Sequence, residues 1–243
     1  AERISVSSAG EEGDGDSFDP WLSADGRFVV FFSDATTLTD DGCRGGIFLR
    51  DRLSNATTRL RGAPCDIQNV SGQGWLPRLS SNGGAVAFLA HESGWVAGDT
   101  NDAVDVFIHD TKSGSTSRAS FGTNGLQHSG EVYADSLGFS DSGRYVVFNY
   151  SGDNYESAVV MHDVLTGLTW SVLSGAGEGT ISGDGRSIGV QETKVFQPDP
   201  LDVASDLSAD GSLDDEVLQV LEAGAGGVGV VTTLGPASEV SVF

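Results

Sequence analysis

The chain has 243 residues, 38% of them hydrophobic, and sets 13 Lys and Arg against 35 Asp and Glu for a formal net charge of −22. A surface of that sign repels phosphate backbones and anionic headgroups, which excludes nucleic acid and disfavours membrane surfaces as partners. No apolar run approaches the roughly 20 residues that cross a bilayer, so the composition favours cations as partners, or serves solubility in a saline habitat.

In chain order, Ala1-Glu-Arg-Ile4 lacks the basic-then-apolar pattern of a secretory leader, which either never stood here or has been removed. Residues 3–8, Arg-Ile-Ser-Val-Ser-Ser, read as a strand. The acidic stretch Glu11-Glu-Gly-Asp14-Gly-Asp16 has calcium-compatible oxygens, but reads more simply as a flexible, solvated link. A short turn then recurs four times, as Ser23-Ala-Asp-Gly26, Ser80-Ser-Asn-Gly83, Ser140-Asp-Ser-Gly143 and Ser182-Gly-Asp-Gly185. Glycine supplies a positive φ, while Asp, Asn or Ser satisfies the turn's own amides. Each turn is followed by an apolar run: Phe28–Phe32, Ala85–Leu89, Tyr145–Phe148 and the weaker Ile188–Val190. Runs this short, bounded by turn residues, predict buried strands.

A second marker follows in register: Ile47-Phe-Leu-Arg-Asp51, Val106-Phe-Ile-His-Asp110, Val159-Val-Met-His-Asp163 and the eroded Leu218-Gln-Val-Leu-Glu222. Each predicts a strand ending in a hairpin turn and a return strand. The segment Asp214–Ala223 has the acidic first turn of an amphipathic helix, but its place in the repeat makes it a strand. Strand, turn, strand, loop, strand, turn, strand is one four-stranded antiparallel sheet. Four such units, over about 17–62, 74–121, 131–174 and 178–235, predict an all-β propeller in a single domain over 1–243. Strands 3–8 and 238–243 are left over to pair and close the ring; the alternative is a fragment of a larger propeller.

The run Ser23-Ala-Asp-Gly-Arg-Phe-Val-Val-Phe-Phe-Ser33, followed by Ile47–Asp51 and a Thr-rich strand, resembles the WD40-like repeat of TolB-type propellers. The resemblance covers most of the chain and implies the architecture, but no particular activity.

The sharpest chemical motif lies in the fourth repeat, where Asp206, Ser208, Asp210, Ser212 and Asp214 place oxygens at alternate positions around the bend at Gly211. That spacing suits one hard cation with six or seven oxygen ligands, and it resembles the calcium loops of EF-hands and integrin-type propellers. The closing Glu of an EF-hand is absent, since Val217 stands there. A weaker candidate in the second repeat comprises Asp99, Asn101, Asp102 and Asp105. Ca2+ is the expected cofactor. These loops belong on one rim of the disc, where like charges repel unless cations or water screen them.

Cys43 and Cys65 lie in Gly/Pro-rich loops, an even pair that suits a disulfide and an oxidising compartment, extracellular or periplasmic. His109 and His162 precede the hairpin Asp in equivalent repeats, as Arg50 does in the first, which favours structural roles. Asp51, Asp110 and Asp163 read as turn caps. There is no Gly-x-Ser-x-Gly elbow, His-Glu-x-x-His or phosphate loop. The sequence therefore favours a calcium-stabilised binding or scaffold module for a protein or glycan partner. The alternative is a propeller hydrolase or lyase, or the non-catalytic propeller of a larger hydrolase. Convergent groups from different repeats at the axis would separate an enzyme from a plain scaffold.

Overall fold

The computed structural model describes residues 1–60, 76–90, 95–101, 103–121, 132–151, 157–174, 176–193, 216–224 and 227–236. These form four antiparallel sheets of four consecutive strands each. Sheet one holds β1 (Ser17–Leu22), β2 (Phe28–Ser33), β3 (Gly46–Asp51) and β4 (Ala56–Arg59). Sheet two holds β5 (Arg78–Leu79), β6 (Ala85–Ala90), β7 (Asp105–Asp110) and β8 (Thr116–Arg118). Sheet three holds β9 (Val132–Phe139), β10 (Tyr145–Ser151), β11 (Ser157–Asp163) and β12 (Leu168–Ser174). Sheet four holds β13 (Ala176–Ile181), β14 (Ser187–Thr193), β15 (Glu216–Gly224) and β16 (Gly227–Pro236). The described part of the segment with helical character in the sequence lies in strand β15, which pairs with β14 from Glu216 to Glu222.

The first strand of each sheet lies against the first two strands of the sheet before it: β5 against β1 and β2, β9 against β5 and β6, and β13 against β9 and β10. The sheets converge there and splay towards their fourth strands, which is the radial geometry of a propeller. Each interface is built from the run that follows the repeated turn. Val30, Phe32, Ile47 and Leu60 of sheet one pack on Leu79, Val86, Phe88 and Phe107 of sheet two. The opposite face of sheet two, with Ala87, Leu89, Val106 and Ile108, packs on Val132, Leu137, Val146 and Phe148 of sheet three. Val147, Val159 and Met161 then meet Ile188 and Val190 of sheet four. Burial on both faces explains why these strands read as unbroken apolar runs rather than alternating ones.

The repeated turns are more than local punctuation. Ser23 Oγ accepts from Phe28 N at 2.9 Å and donates to Asp25 Oδ1 at 2.6 Å, and that carboxylate accepts from Arg27 N at 2.9 Å. Ser80 with Asn82, and Ser182 with Asp184, repeat the arrangement. Neighbouring turns are then bonded to one another: Ala24 N donates to Ser81 O at 2.9 Å, Asn82 Nδ2 to Ser142 O at 3.1 Å, and Asp141 N to Gly183 O at 2.7 Å. Gly83 has φ +70°, and a Cβ there would lie 2.4 Å from the Phe28 ring of the preceding sheet. Gly185 stands in the same relation to Tyr145, at 2.7 Å. The turn glycine therefore serves both the backbone and the close approach of one sheet to the next.

Sheet one has no preceding sheet packed along its outer face among the described residues. In that position Phe31 and Phe48, stacked at 5.8 Å, are covered by Ile4, Ala35 and Leu38. The expected terminal strand over residues 3–8 is not a member of any sheet; its one bridge joins Val6 to Glu12. Polar contacts hold it against sheet one instead. Thr57 Oγ1 donates to Val6 O at 2.6 Å, Arg50 Nη1 to Ser7 O at 3.3 Å, and Thr57 N to Ser8 Oγ at 2.9 Å. The acidic stretch expected as a flexible link is pinned as well. Asp14 accepts from Thr36 N and Thr36 Oγ1, both at 2.6 Å, and these bonds lower its pKa to about 2. The other proposed closing strand, 238–243, lies outside the described residues.

Replacing Gly83 by Ala combines an unfavourable positive φ with a clash against Phe28. It should destabilise the protein by about 2–4 kcal/mol, measured by urea unfolding. Gly42→Ala is the matched control, because φ is +69° there but nothing lies within 4 Å of the added Cβ. It should lose only the backbone contribution, about 1–2 kcal/mol. Equal losses in the two variants would show that the sheet-to-sheet approach at Gly83 is unimportant.

Candidate functional site

The antiparallel meander sends the repeated turns and the Asp hairpins to one rim and the connections between second and third strands to the other. On the turn rim the hairpin aspartates cap backbone amides. Asp51 Oδ1 accepts from Leu53 N at 2.9 Å, Asp110 Oδ1 from Lys112 N at 3.0 Å, and Asp163 Oδ1 from Leu165 N at 2.9 Å. Arg27 forks onto Asp51 at 3.0 and 2.7 Å, and Arg144 onto Asp163 at 3.2 and 2.9 Å. The bond from Arg27 holds Asp51 well below the usual carboxylate range. One residue earlier, His109 Nδ1 and His162 Nδ1 each lie 2.9 Å from the hydroxyl of the threonine on the return strand, Thr116 and Thr169. Arg50 makes the equivalent contact with Thr57 at 3.0 Å. Both imidazoles are buried, and burial pushes their pKa values down against the pull of the adjacent aspartates.

On the loop rim, Asp99 and Asp105 are brought together around a guanidinium. Arg118 Nη1 lies 3.2 Å from Asp99 Oδ1 and 3.6 Å from Asp105 Oδ2, with all three side chains buried. Asp105 also accepts from the Ser120 hydroxyl, and burial raises its pKa despite these partners. Arg118 thus brings a positive charge of the chain itself to this turn. Sheet one repeats the device: Arg59, placed opposite Phe48 as Arg118 is opposite Phe107, lies 3.8 Å from Asp41. Asn101 lies in the same turn, while Asp102 lies outside the described residues. The loop carrying Asp206, Ser208, Asp210, Ser212 and Asp214 is outside them too, as is Cys65. Among the described residues no cysteine is free, and no group of three or more His, Cys, Asp or Glu is arranged to hold a metal.

The axis is where the first strands converge, and it carries groups that the repeat motifs did not single out. Every repeated turn is preceded by a first strand, and those of sheets one, three and four are interrupted by an irregularity in the ladder. In β1 the interruption falls between Phe18 and Trp21, which pair with Phe32 and Val30. Asp19 has φ +49° there, a left-handed conformation rare outside glycine. Leu76, four residues before Ser80 as Asp19 is before Ser23, has φ +34°. Both are followed by proline, in Asp19-Pro-Trp-Leu-Ser23 and Leu76-Pro-Arg-Leu-Ser80. Such a bulge re-aims side chains and blunts a sheet edge. Phe18 and Trp21 are 48% and 44% exposed, although they lie opposite buried partners. Arg78, which holds in sheet two the place of Trp21 in sheet one, stacks its guanidinium 4.5 Å from the Trp21 ring centre. Burial lowers its pKa, and Asp19 alone opposes that effect. The paired Pro-x-Leu-Ser sequences were the available signal for this cluster.

No family model matches the chain, and no curated protein matches it. Among solved structures it is similar to the β-propeller domain of the Trilobed protease from Pyrococcus furiosus. That match is 12% identical with a TM-score of 0.55, over 92% of this chain and 59% of that one. It is also similar to the acylaminoacyl peptidase of Pyrococcus horikoshii, 11% identical with a TM-score of 0.51, over 91% of this chain and 32% of that one. TolB from Acinetobacter baumannii aligns over 93% of this chain and 45% of its own, at 17% identity and a TM-score of 0.49. The chain thus spans less than two thirds of the length of each of these structures. The first two likenesses establish the β-propeller fold.

Two outcomes follow from this geometry. Arg118→Met leaves Asp99 and Asp105 buried without their cation and should cost about 3–5 kcal/mol in urea unfolding. Adding Asp99→Asn and Asp105→Asn to it should return part of that loss. The histidines predict a pH dependence. Above about pH 6.5, the ordinary imidazole pKa, folded and unfolded states are both neutral. As the pH falls towards the depressed folded-state values, only the unfolded chain takes up the protons, so stability declines. Thermal melts from pH 7.5 to 5.5 should show this decline, and a His109→Gln, His162→Gln variant should show a shallower one.

Proposed function

We propose that this chain is an extracellular or periplasmic propeller that binds a protein or glycan partner at its converging first strands, and that calcium stiffens the acidic loop of its fourth sheet. The observation that carries the binding reading is the exposed Phe18–Trp21 pair, held by a strained bulge beside Arg78 of the next sheet. Backbone conformations of this kind persist where the surrounding structure over-determines them, and they cluster at ligand sites. Exposed aromatics next to a cation are also the composition of interface anchors.

The calcium reading draws support from the distribution of arginines. In sheets one and two an arginine of the fourth strand meets the acidic loop. At the matching place in sheet four, opposite Gln219, stands Thr233. No Lys or Arg follows Lys194 in the chain, while Asp206, Asp210, Asp214 and Asp215 all do. A solvent cation would supply the charge that arginine supplies in the other two sheets, and the donors Asp206, Ser208, Asp210, Ser212 and Asp214 suit a hard one. A disulfide between Cys43 and Cys65, the chain's two cysteines, accords with an oxidising compartment.

Melting curves with and without a calcium chelator test the metal. Linkage gives about 2.7 kcal/mol at a hundredfold excess of ligand over Kd, so chelation should lower the melting temperature and an Asp206→Asn, Asp210→Asn variant should not respond. Superimposable wild-type curves would remove calcium from the proposal. The binding site is tested with a displayed random-peptide library and a glycan array. A Phe18→Ser, Trp21→Ser variant that melts like wild type should lose the ligands that wild type enriches; undiminished enrichment would place binding elsewhere.

A further inference from the structure

We infer that Arg78, stacked on Trp21, is a receptor for the C-terminal carboxylate of a peptide whose last side chain is apolar. This deepens the binding reading above and rests on it. Burial with neither an ion pair nor a short hydrogen bond sets Arg78 apart: Arg44, Lys112 and Arg186 also lack a carboxylate within 4.0 Å among the described residues, but all three are exposed. Arg27, Arg52, Arg59, Arg118 and Arg144 each face a carboxylate within 4.0 Å, and Arg50 is bonded to Ser7 O, Asn55 O and Thr57. Arg78 is half-buried, yet among the described residues its one hydrogen bond is a 3.5 Å contact to the carbonyl of Pro77. No carboxylate lies within ion-pair distance of it among those residues, in a chain with 35 Asp and Glu. A partly desolvated guanidinium whose neighbouring carboxylate, Asp19, stays beyond ion-pair distance gains when an anion reaches it. The cation lies over the Trp21 ring, and apart from the long contact to Pro77 O its N–H groups are open to a carboxylate.

Three features narrow the anion. The net charge of −22 opposes a polyanion such as a uronate chain, but tolerates a single charge on an otherwise neutral ligand. The exposed Phe18 and Trp21 rings offer apolar cover for the group next to that charge. Pro20 and Pro77 remove backbone donors from the two first strands, and β1 is bulged, so a peptide passing through as an added strand lacks a ladder to join. Capture of a chain end needs no ladder.

The test titrates N-acetylated tripeptides ending in Leu or Phe, each as the free acid and as the C-terminal amide, against the full chain by calorimetry. Trigalacturonate is the third probe. The free acids should bind about tenfold or more tightly than the amides, since a charge-assisted pair is lost on amidation. Arg78→Gln should abolish that preference, and Arg78→Lys should keep a part of it. Because Arg78 makes no ion pair, both variants should melt close to wild type, which separates lost recognition from lost folding. Acid and amide binding equally, the preference surviving in Arg78→Gln, trigalacturonate binding where peptides do not, or no probe binding wild type would each overturn the inference. In all four cases the wider binding reading still stands or falls on the Phe18→Ser, Trp21→Ser comparison.

Discussion

Sheets two and three carry Val, Phe, Ile and Ala on both faces, so each needs a neighbour on either side before any water is excluded. This mutual burial is what the rest of the structure serves. At about 25 cal/mol per Å² of apolar surface, the sheet-to-sheet contacts dominate the favourable side of folding. They form only if the sheets approach closely at their first strands. The turn glycines permit that approach, the serine–aspartate turns fix its height, and the bonds from turn to turn align one sheet with the next. The axis is therefore the most constrained part of the molecule.

Among the described residues no sheet packs on the outer face of sheet one, and that face is covered differently from the interior ones. Leu79 of sheet two is 3% exposed because it packs on sheet one, whereas Leu22, its counterpart in sheet one, is 54% exposed. The faces of Phe31 and Phe48 farther out are covered by Ile4 and by Leu38 of the chain's own loop. Leu38 has a parallel in Trp95, which packs at 4.5 Å on Phe88 at the equivalent interface of sheet two. Loop plugging is thus part of the repeat, and the contribution of Ile4 is particular to sheet one among the described residues.

Much of the architecture was legible because burial on two faces writes itself as short apolar runs between turn residues. Ser23–Gly26 with Phe28–Phe32, and Ile47–Asp51 with its hairpin, specify their strands locally. The structural reading of His109 and His162 followed from their equivalent positions in the repeat. What the sequence obscured depends on distant partners. Asp14 looks like part of a solvated acidic link until Thr36 and Thr37 are seen to hold it. Residues 3–8 alternate like a strand, yet Thr57 and Arg50 claim their carbonyls for another purpose. Asp99 and Asp105 have the spacing of cation ligands, and only the fold reveals that Arg118 meets them. The first strands were overlooked for a local reason: proline and a left-handed residue interrupt the alternation that marks an edge strand, so Trp21 and Arg78 carried no periodic signal.

The placement of arginines at Arg118 and Arg59 has a consequence for how the molecule responds to its medium. Those two cations are directed inward, while Arg3, Arg27, Arg52 and Arg144 stay at the surface among a large excess of carboxylates. Added electrolyte shortens the Debye length from about 10 Å at 0.1 M to about 3 Å at 1 M. Repulsion between outlying carboxylates fades over that range, while the Arg118 contacts, shorter than 4 Å and shielded from bulk water, hardly change. Concentrated brine thus removes a destabilising influence from the exterior and leaves the buried clip at Arg118 intact.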